Sequence, residues 1–262
     1  MKFVEKSLII SNSLVNEFCY RMVISSPKIA KAANPGQFLE IGCGDYNYPL
    51  LKRPISILNI EEDLIEIIYY VIGKGTNMLS KKEPGDLIEI VGPLGNGYSV
   101  KDCENHILVG GGYGAPPMVF LANKLLRMNI NNIFVCLGSK TKDMILCKED
   151  FLDLDVSLCL ATEDGSVGKK GFVTDIVKTV LDNNKGKTAV YSCGPTPMME
   201  NLYKVCREYE NVLSIQCAME SVMACGIGVC NGCVIKVKEN DRVIYKRVCT
   251  EGPVFEGAKV VW

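Results

Sequence analysis

Hydrophobic and polar positions follow one pattern through the first hundred residues of the chain. Short β-prone segments at residues 18–24, 37–41, 55–58, 64–72 and 86–91 are separated by turns rich in Gly, Pro and Asn. Few stretches in this part have the 3.6-residue period of a helix. Several short strands at this spacing predict a small antiparallel β-barrel.

The pattern changes near residue 106, where apolar strand patterns begin to alternate with helical ones. The strand patterns lie at residues 107–109, 133–137, 156–161 and 188–192, and the helical patterns at residues 116–128, 173–181 and 196–209. Strands that alternate with helices predict a mostly parallel sheet covered by helices on both faces.

Four cysteines near the C-terminus have the spacing of an iron–sulfur site. Cys225, Cys230, Cys233 and Cys249 follow the order C-x4-C-x2-C-x15-C, which is the plant-type [2Fe–2S] ligand spacing. Three glycines among residues 225–233 allow the backbone to fold closely around an inorganic cluster. The spacing therefore predicts a centre that carries one electron at a time.

Two other uses of these cysteines compete with the cluster. A zinc site usually pairs C-x2-C with a second close pair or with histidines, and Cys249 has neither nearby. Disulfides are disfavoured because the Met1 end shows no secretory signal and the total of 13 cysteines is odd. Two predicted strands, at residues 234–237 and 243–245, form a hairpin that returns Cys249 to the loop. These observations favour the cluster over zinc.

The 262 residues leave room for two or three domains. The patterns predict an antiparallel β-barrel over residues 1–100, an α/β domain with a parallel sheet over residues 101–215, and a small [2Fe–2S] domain over residues 216–262. The predicted fold class is therefore β plus α/β.

Composition removes several classes of function. A net charge of −1 gives no electrostatic basis for binding nucleic acid or an anionic membrane, and no apolar run approaches the roughly 20 residues that span a bilayer. Because His106 is the single histidine, neither a histidine metal site nor a Ser-His-Asp hydrolase can be assembled. The other nine cysteines lie mainly in apolar segments, which favours a reducing cytoplasm.

Two short segments of the predicted barrel carry groups suited to a flavin dinucleotide. Arg53-Pro54-Ile55-Ser56 begins a strand, and Gly-Lys-Gly-Thr at residues 73–76 precedes a predicted helix start. The planar guanidinium of arginine can pair with a pyrophosphate, a serine hydroxyl can bond the edge of the flavin ring, and N–H groups at a helix start can bind an anion. Each segment alone is weak, because R-x-x-S arises by chance in many chains.

The predicted α/β domain carries two candidate nucleotide-binding turns. Residues 110–114 read Gly-Gly-Gly-Tyr-Gly between a strand and a helix, where α/β folds bind phosphates. A strict G-x-G-x-x-G is absent because Pro116 and Pro117 follow. Cys-Gly-Pro at residues 193–195 follows the last predicted strand, at the edge where ligands bind, and it also fits a tight turn that enters a helix.

Together these segments resemble the ferredoxin–NADP reductase superfamily. More narrowly, the chain is similar to the electron-transfer subunits of the type B, NAD-dependent dihydroorotate dehydrogenases through residues 53–56, 223–233 and 248–255. The order of barrel, nucleotide domain and cluster covers nearly the whole chain. The resemblance implies bound FAD, a [2Fe–2S] cluster, and NAD as substrate.

The resemblance also implies a role for each motif. FAD would contact Arg53, Pro54, Ile55, Ser56, Ile68, Tyr69, Tyr70, Gly75 and Thr76. The nicotinamide dinucleotide would face Gly110, Gly111, Gly112, Gly114 and Cys193. Tyr113 interrupts the glycine run, which leaves the individual nucleotide contacts open. The chain shows no clear arginine pair for a 2′-phosphate, so NADH is favoured over NADPH.

The implied mechanism divides the work between cofactors. NADH would give a hydride to the flavin, which can release the two electrons singly to the cluster, so no catalytic acid or base is expected from the chain. The resemblance places the other redox partner, an FMN, in a separate catalytic subunit that converts dihydroorotate to orotate in pyrimidine biosynthesis. It also implies a heterotetramer with two copies of each subunit.

Three alternatives use the same motifs differently. The chain could be the flavin and [2Fe–2S] subunit of an NADH-dependent ferredoxin–NADP oxidoreductase or of a sulfide dehydrogenase, or it could be a free-standing reductase that serves an oxygenase. A third alternative, a zinc-binding interaction module, is not an enzyme.

Overall fold

The computed structural model describes residues 1–44, 48–240 and 242–262. Within these residues the chain forms two compact units, each built from three separate stretches of sequence. The first unit comprises Met1–Gly97, Ser221–Ile235 and Lys246–Pro253, and the second comprises Tyr98–Glu220, Lys236–Tyr245 and Val254–Trp262.

The first unit contains a closed antiparallel barrel of six strands. These are β1 (Phe3–Asn16), β2 (Cys19–Ser25), β3 (Phe38–Ile41), β4 (Arg53–Glu61), β5 (Leu64–Tyr70) and β6 (Leu87–Leu94), joined in the order β1-β2-β5-β4-β3-β6. Two short helices, α1 (Pro27–Ala32) and α2 (Lys74–Leu79), connect the strands. The predicted barrel is confirmed.

Alternation along the strands builds the barrel interior. Leu39 and Ile41 of β3, Ile65 and Ile67 of β5, and Ile90 of β6 are fully buried at every second position. A strand places successive side chains on opposite faces, so one face of each strand fills the barrel. Glu40, between Leu39 and Ile41, therefore faces away from the barrel interior.

The second unit is built on a seven-stranded sheet. Its members are β7 (Asn105–Gly111), β8 (Ile133–Ser139), β9 (Ser157–Thr162), β10 (Lys169–Lys170), β11 (Thr188–Cys193), β12 (Val212–Ala218) and β15 (Val254–Glu256). The order is β10-β9-β8-β7-β11-β12-β15, and every pairing is parallel except β12 with β15. The predicted parallel sheet is confirmed.

Four helices connect these strands. They are α3 (Pro116–Arg127), α4 (Lys148–Leu152), α5 (Val173–Asn183) and α6 (Thr196–Cys206). In α5 the buried residues Val173, Ile176, Val177, Val180 and Leu181 recur at the i, i+3, i+4 spacing of one helix face. Proline at the start of α3 is compatible with the first turn, where its missing N–H costs no helical hydrogen bond.

A two-stranded sheet of β13 (Val234–Glu239) and β14 (Arg242–Arg247) follows the cysteine loop, as the hairpin pattern predicted. The loop at residues 225–233 belongs to the first unit. The division into domains at residues 100 and 215 stays a prediction. Among the residues that the structure describes, none of the helices has both the length and the apolar character of a membrane span.

Candidate electron-transfer and cofactor site

The loop that carries the first three cysteines is irregular and tightly curved. Gly226 and Gly228 have φ angles of 65° and 88°, and Asn231 has a φ of 55°. This left-handed region suits glycine and, less often, asparagine, so the sequence of the loop matches its backbone. The curvature brings the backbone N–H of Cys230 back to the side chain of Cys225.

The four cysteines meet as two pairs. The N–H of Cys230 donates to Sγ of Cys225 at 3.5 Å, and the N–H of Cys249 donates to Sγ of Cys233 at 3.4 Å. The N–H of Val248 donates to the carbonyl of Cys233 at 2.7 Å, which returns the end of the hairpin to the loop. Within the described ranges, no three His, Cys, Asp or Glu side chains have the arrangement that holds a single metal ion.

The two pairs differ in exposure and in acidity. Cys233 and Cys249 are buried, whereas Cys230 is exposed and Cys225 is half-buried. Burial raises the pKa of Cys225, but hydrogen bonds from the backbone of Cys230 and Ile227 outweigh it and lower that pKa to about 6. Burial, followed by the hydrogen bond with Cys233, raises the pKa of Cys249 to about 11.

These features fit an iron–sulfur cluster. A [2Fe–2S] cluster takes four cysteine thiolates, and the loop together with Cys249 supplies four sulfurs as well as backbone N–H groups that point at two of them. Arg247 braces the loop, since its Nη1 donates to the carbonyl of Gly228 at 3.0 Å and its Nε lies 3.2 Å from Glu251.

The barrel brings part of the predicted flavin motif together. Arg53 begins β4, and its guanidinium lies against the backbone of Gly75 in α2, where an added Cβ would be 2.6 Å from Nη2. Nη1 of Arg53 also donates to the carbonyl of Leu51 at 2.5 Å. A charged donor group is therefore held against the first turn of α2, next to a glycine that leaves it room.

Other residues of the flavin motif have different surroundings. The hydroxyl of Thr76 caps its own helix, because it accepts from the N–H of Gly73 at 3.3 Å and donates to the carbonyl of that residue at 3.1 Å. Tyr69 is buried and donates to Oδ1 of Asn12 at 2.9 Å. Ser56 and Tyr70 are half-buried, Ile55 and Ile68 are buried, and Pro54 is exposed.

The two candidate nucleotide turns meet at one edge of the second unit's sheet. Strands β7 and β11 are parallel neighbours, with Gly110 paired to Cys193, and both turns follow their carboxyl ends. After β7 the chain forms a short 3-10 turn over Gly112–Gly114. An added Cβ at Gly114 would collide with the carbonyl of Cys193, so the glycine permits this approach. Open α/β sheets bind ligands at this edge.

One contact near these turns was not predicted from the sequence. Tyr113 hydrogen-bonds to Glu220, and burial raises the pKa of the Tyr113 phenol to about 12. Burial, and then the charge of Glu220, raises the pKa of the buried Cys193 thiol. Tyr113 had a signal, since it interrupts the glycine run, but nothing in the sequence around Glu220 marked that residue.

Family models match the chain in two places. Residues 220–261 match the iron–sulfur cluster binding domain of dihydroorotate dehydrogenase B, and residues 108–204 match the oxidoreductase NAD-binding domain. The first match contains all four cysteines, and the second contains both candidate nucleotide turns.

Full-length relatives share one name. The dihydroorotate dehydrogenase B (NAD(+)) electron transfer subunit of Desulforamulus reducens is 37% identical over 246 residues, which are 93% of this chain and 92% of that protein. The subunit of the same name from Caldanaerobacter subterraneus subsp. tengcongensis is 37% identical over 262 residues and 100% of both chains.

Solved structures share the fold of this chain. An NADH-dependent reduced ferredoxin–NADP oxidoreductase matches with a TM-score of 0.84 and 31% identity, over 98% of this chain and 90% of that one. A ferredoxin–NADP+ reductase from Neisseria gonorrhoeae, with a TM-score of 0.66 and 14% identity over 79% of this chain and 92% of that one, shares the fold. With relatives this similar over almost its entire length, the chain belongs to the family of dihydroorotate dehydrogenase B (NAD(+)) electron transfer subunits.

Proposed function

We propose that this chain passes electrons between NAD and an FMN-containing catalytic subunit that converts dihydroorotate to orotate, through bound FAD and a [2Fe–2S] cluster. The observation that carries the proposal is the arrangement of the four cysteines as two pairs, Cys225 with Cys230 and Cys233 with Cys249, within the unit that contains the barrel. The substrate is inferred from the relatives, which are named as electron transfer subunits of dihydroorotate dehydrogenase B.

The cluster ligands would be the four cysteines of the loop and hairpin. The contacts favour an assignment in which Cys225 and Cys230 hold one iron and Cys233 and Cys249 hold the other. The thiolate is the ligand form of cysteine, and the lowered pKa of Cys225 supplies it at neutral pH. The exposed Cys230 leaves this end of the site open to a redox partner.

FAD would bind to the barrel around β4 and α2. Arg53 would pair with the pyrophosphate, since its guanidinium lies beside Gly75, and Ser56 would contact the flavin. Pro54, Ile55, Ile68, Tyr69, Tyr70, Gly75 and Thr76 stay predicted contacts. Thr76 would act through its backbone, because its hydroxyl is engaged within the helix turn.

NAD would bind at the carboxyl edge of the second unit's sheet. Gly110, Gly111, Gly112 and Gly114 would admit the dinucleotide to the backbone, and Cys193 would lie near the nicotinamide. The preference for NADH over NADPH stays a prediction.

In this mechanism the residues of the chain bind and orient FAD, the cluster and NAD, and they exchange no proton with the substrate. A bound flavin supplies the conversion between hydride transfer and single-electron transfer. Arg53 would neutralise phosphate charge, and backbone N–H groups of the cysteine loop would stabilise charge on sulfur. The catalytic subunit supplies the chemistry on dihydroorotate, so the family name implies a heteromer, for which we propose two copies of each chain. A cytoplasmic location stays a prediction.

The direct test is chemical analysis of the anaerobically purified chain. We expect FAD together with the two irons and two sulfides that a [2Fe–2S] cluster contains. NADH should bleach the flavin absorbance. Colourless protein, or protein that contains zinc without flavin, would contradict the proposal.

A second candidate function has one specific observation in its favour. The NADH-dependent reduced ferredoxin–NADP oxidoreductase chain covers 98% of this protein at 31% identity. Co-purification separates the two candidates. A partner that contains FMN and oxidises dihydroorotate supports the first, and a partner that contains its own iron–sulfur clusters and reduces ferredoxin supports the second.

A further inference from the structure

Buried polar atoms without a partner are concentrated at one place in this protein. In the described part of the chain, three buried side-chain oxygens make no hydrogen bond, namely Oε1 and Oε2 of Glu40 and Oγ1 of Thr250. Both residues belong to the first unit, and each lies against a left-handed glycine of the cysteine loop. Buried polar groups are usually paired, so this coincidence needs a physical reason.

Glu40 lies between the barrel wall and the cysteine loop. It is 2% exposed, and it points out of the barrel because its neighbours in β3 point inward. At Gly226, where φ is 65°, an added Cβ would be 2.5 Å from Cγ of Glu40 and 2.8 Å from Oε1. The loop therefore closes directly over the carboxylate.

No cation in hydrogen-bonding contact neutralises this carboxylate within the described residues. Lys52 lines the same cavity of about 350 Å³ as Glu40 and Cys225, but its ammonium pairs with Glu89 at 2.7 Å. Burial first, and then the charge of Cys225, raise the pKa of Glu40 to about 7, although the charges of Lys52 and Arg53 act in the opposite direction. The carboxylate and the Cys225 thiolate thus repel each other when both are charged.

Thr250 has a comparable position against the second left-handed glycine of the loop. It follows Cys249 directly, and an added Cβ at Gly228, where φ is 88°, would be 2.8 Å from its Cγ2 and 3.2 Å from its Oγ1. Its hydroxyl is buried without a partner and retains a proton to donate. No acceptor among the described residues lies within hydrogen-bonding reach, so the hydroxyl is left to donate to a sulfur of a bound cluster.

The two groups should act on a cluster with opposite sign. A negative charge held beside thiolate ligands disfavours the addition of an electron, whereas a hydrogen-bond donor to sulfur favours it. Low exposure strengthens both effects, because little water screens the charges.

On the basis of the cluster assigned under the proposed function, we propose that Glu40 and Thr250 set its reduction potential, the carboxylate lowering it and the hydroxyl raising it. Both are positioning residues that act through the cysteine ligands, and neither belongs to the ligand set.

The test compares two nearly isosteric variants in the full chain. Glu40→Gln should raise the midpoint potential, with a tenfold change in the reduction equilibrium corresponding to 59 mV for one electron. Thr250→Val should lower the potential by a smaller amount. The potentials are measured at pH 8.5 by redox titration of the electron paramagnetic resonance signal. Glu61→Gln, which removes an exposed carboxylate from the far end of β4 in the same unit, is the control and should leave the potential unchanged.

Iron and sulfide content are measured on every sample. If the unaltered chain contains no cluster, the proposed function fails. If it contains one and the potentials of Glu40→Gln and Thr250→Val coincide with that of Glu61→Gln, the inference alone is wrong. If Glu40→Gln loses the cluster, the potential of Thr250→Val tests the inference. An unchanged or raised potential of that variant overturns the inference. Loss of the cluster from both variants also overturns it, because it shows a purely structural role.

Discussion

A single hydrogen bond shifts the pKa values of two cysteines in the second unit in opposite directions. Cys136 of β8 and Cys159 of β9 are register partners on adjacent parallel strands. The Cys136 thiol donates to Cys159, which lowers the pKa of Cys159 to about 7, and the same bond together with burial raises the pKa of Cys136 well above its usual range. Cys159 is half-buried, whereas Cys136 is fully buried. Reactivity toward electrophiles should therefore be confined to one member of the pair.

Site-resolved alkylation tests this difference. Because the thiolate is the nucleophile, labelling of Cys159 by iodoacetamide should rise with pH through about 7. Cys103, which is also half-buried but whose pKa burial raises, should label only at higher pH. Cys136→Ala removes the donor, so the Cys159 midpoint should move up toward the ordinary value. Peptide mapping by mass spectrometry gives each midpoint, and coincident midpoints for Cys159 and Cys103 would contradict the prediction.

Candidate site residues that form a motif along the sequence were the easiest to predict. The spacing of the four cysteines is a local pattern, and the fold pairs Cys225 with Cys230 and Cys233 with Cys249. Glu40 carries no such signal, because its neighbour Gly226 is distant in sequence and the contact exists only after folding. An acidic residue in a strand is ordinarily read as a solvated position.

At the scale of elements, segments with a clear apolar pattern were predicted well and several others were missed. The predicted segments of β3 to β6 and of β7 to β9 matched the observed strands. The 14-residue strand β1 was missed, because only Ser7 and Ile9 of its side chains are buried and its apolar pattern is therefore weak. The strand β12 was also missed, as were α1, α4, β10 and β15, which have too few residues to show a period.

In helix α2, a glycine leaves space for the side chain of Arg53. Gly73 and Gly75 look alike in sequence, but an added Cβ at Gly75 would meet the guanidinium of Arg53, whereas at Gly73 it would meet nothing within 4 Å. Gly73 has an extended backbone with φ of −169°, which any residue can adopt. The atoms met at Gly75 are the end of a flexible side chain, so the fold can accept the change by moving Arg53 away.

We therefore expect Gly75→Ala to weaken FAD binding with little loss of folding stability. Displacement of the guanidinium should raise the Kd for FAD by about tenfold or more, equivalent to about 1.4 kcal/mol. Arg53→Ala should give a similar loss. Gly73→Ala is the matched control and should retain FAD as the unaltered chain does. Equilibrium dialysis and thermal unfolding of the FAD-free protein measure the two quantities, and equal FAD retention by both glycine variants would refute the role of Arg53.

At the scale of the whole molecule, the order of motifs along the sequence does not show how they are grouped in space. Three separate stretches form the first unit, which contains the barrel with its candidate FAD residues and the cysteine loop. The candidate NAD turns belong to the second unit. Such grouping depends on contacts between distant segments, and local periodicity carries no information about them. The chemistry of the cluster and that of the nicotinamide are therefore carried by different sets of residues.

This separation predicts that one cysteine can be removed without loss of flavin reduction. Cys230 is exposed and lies outside the candidate FAD and NAD residues. Cys230→Ser should abolish the electron paramagnetic resonance signal of the cluster and nearly all electron transfer to the catalytic subunit, while FAD content and flavin reduction by NADH stay close to normal. Cys103→Ser, at a half-buried cysteine outside the ligand set, should leave all four properties unchanged. Electron delivery to the catalytic subunit at the normal rate by Cys230→Ser would show that the cluster is not on the route.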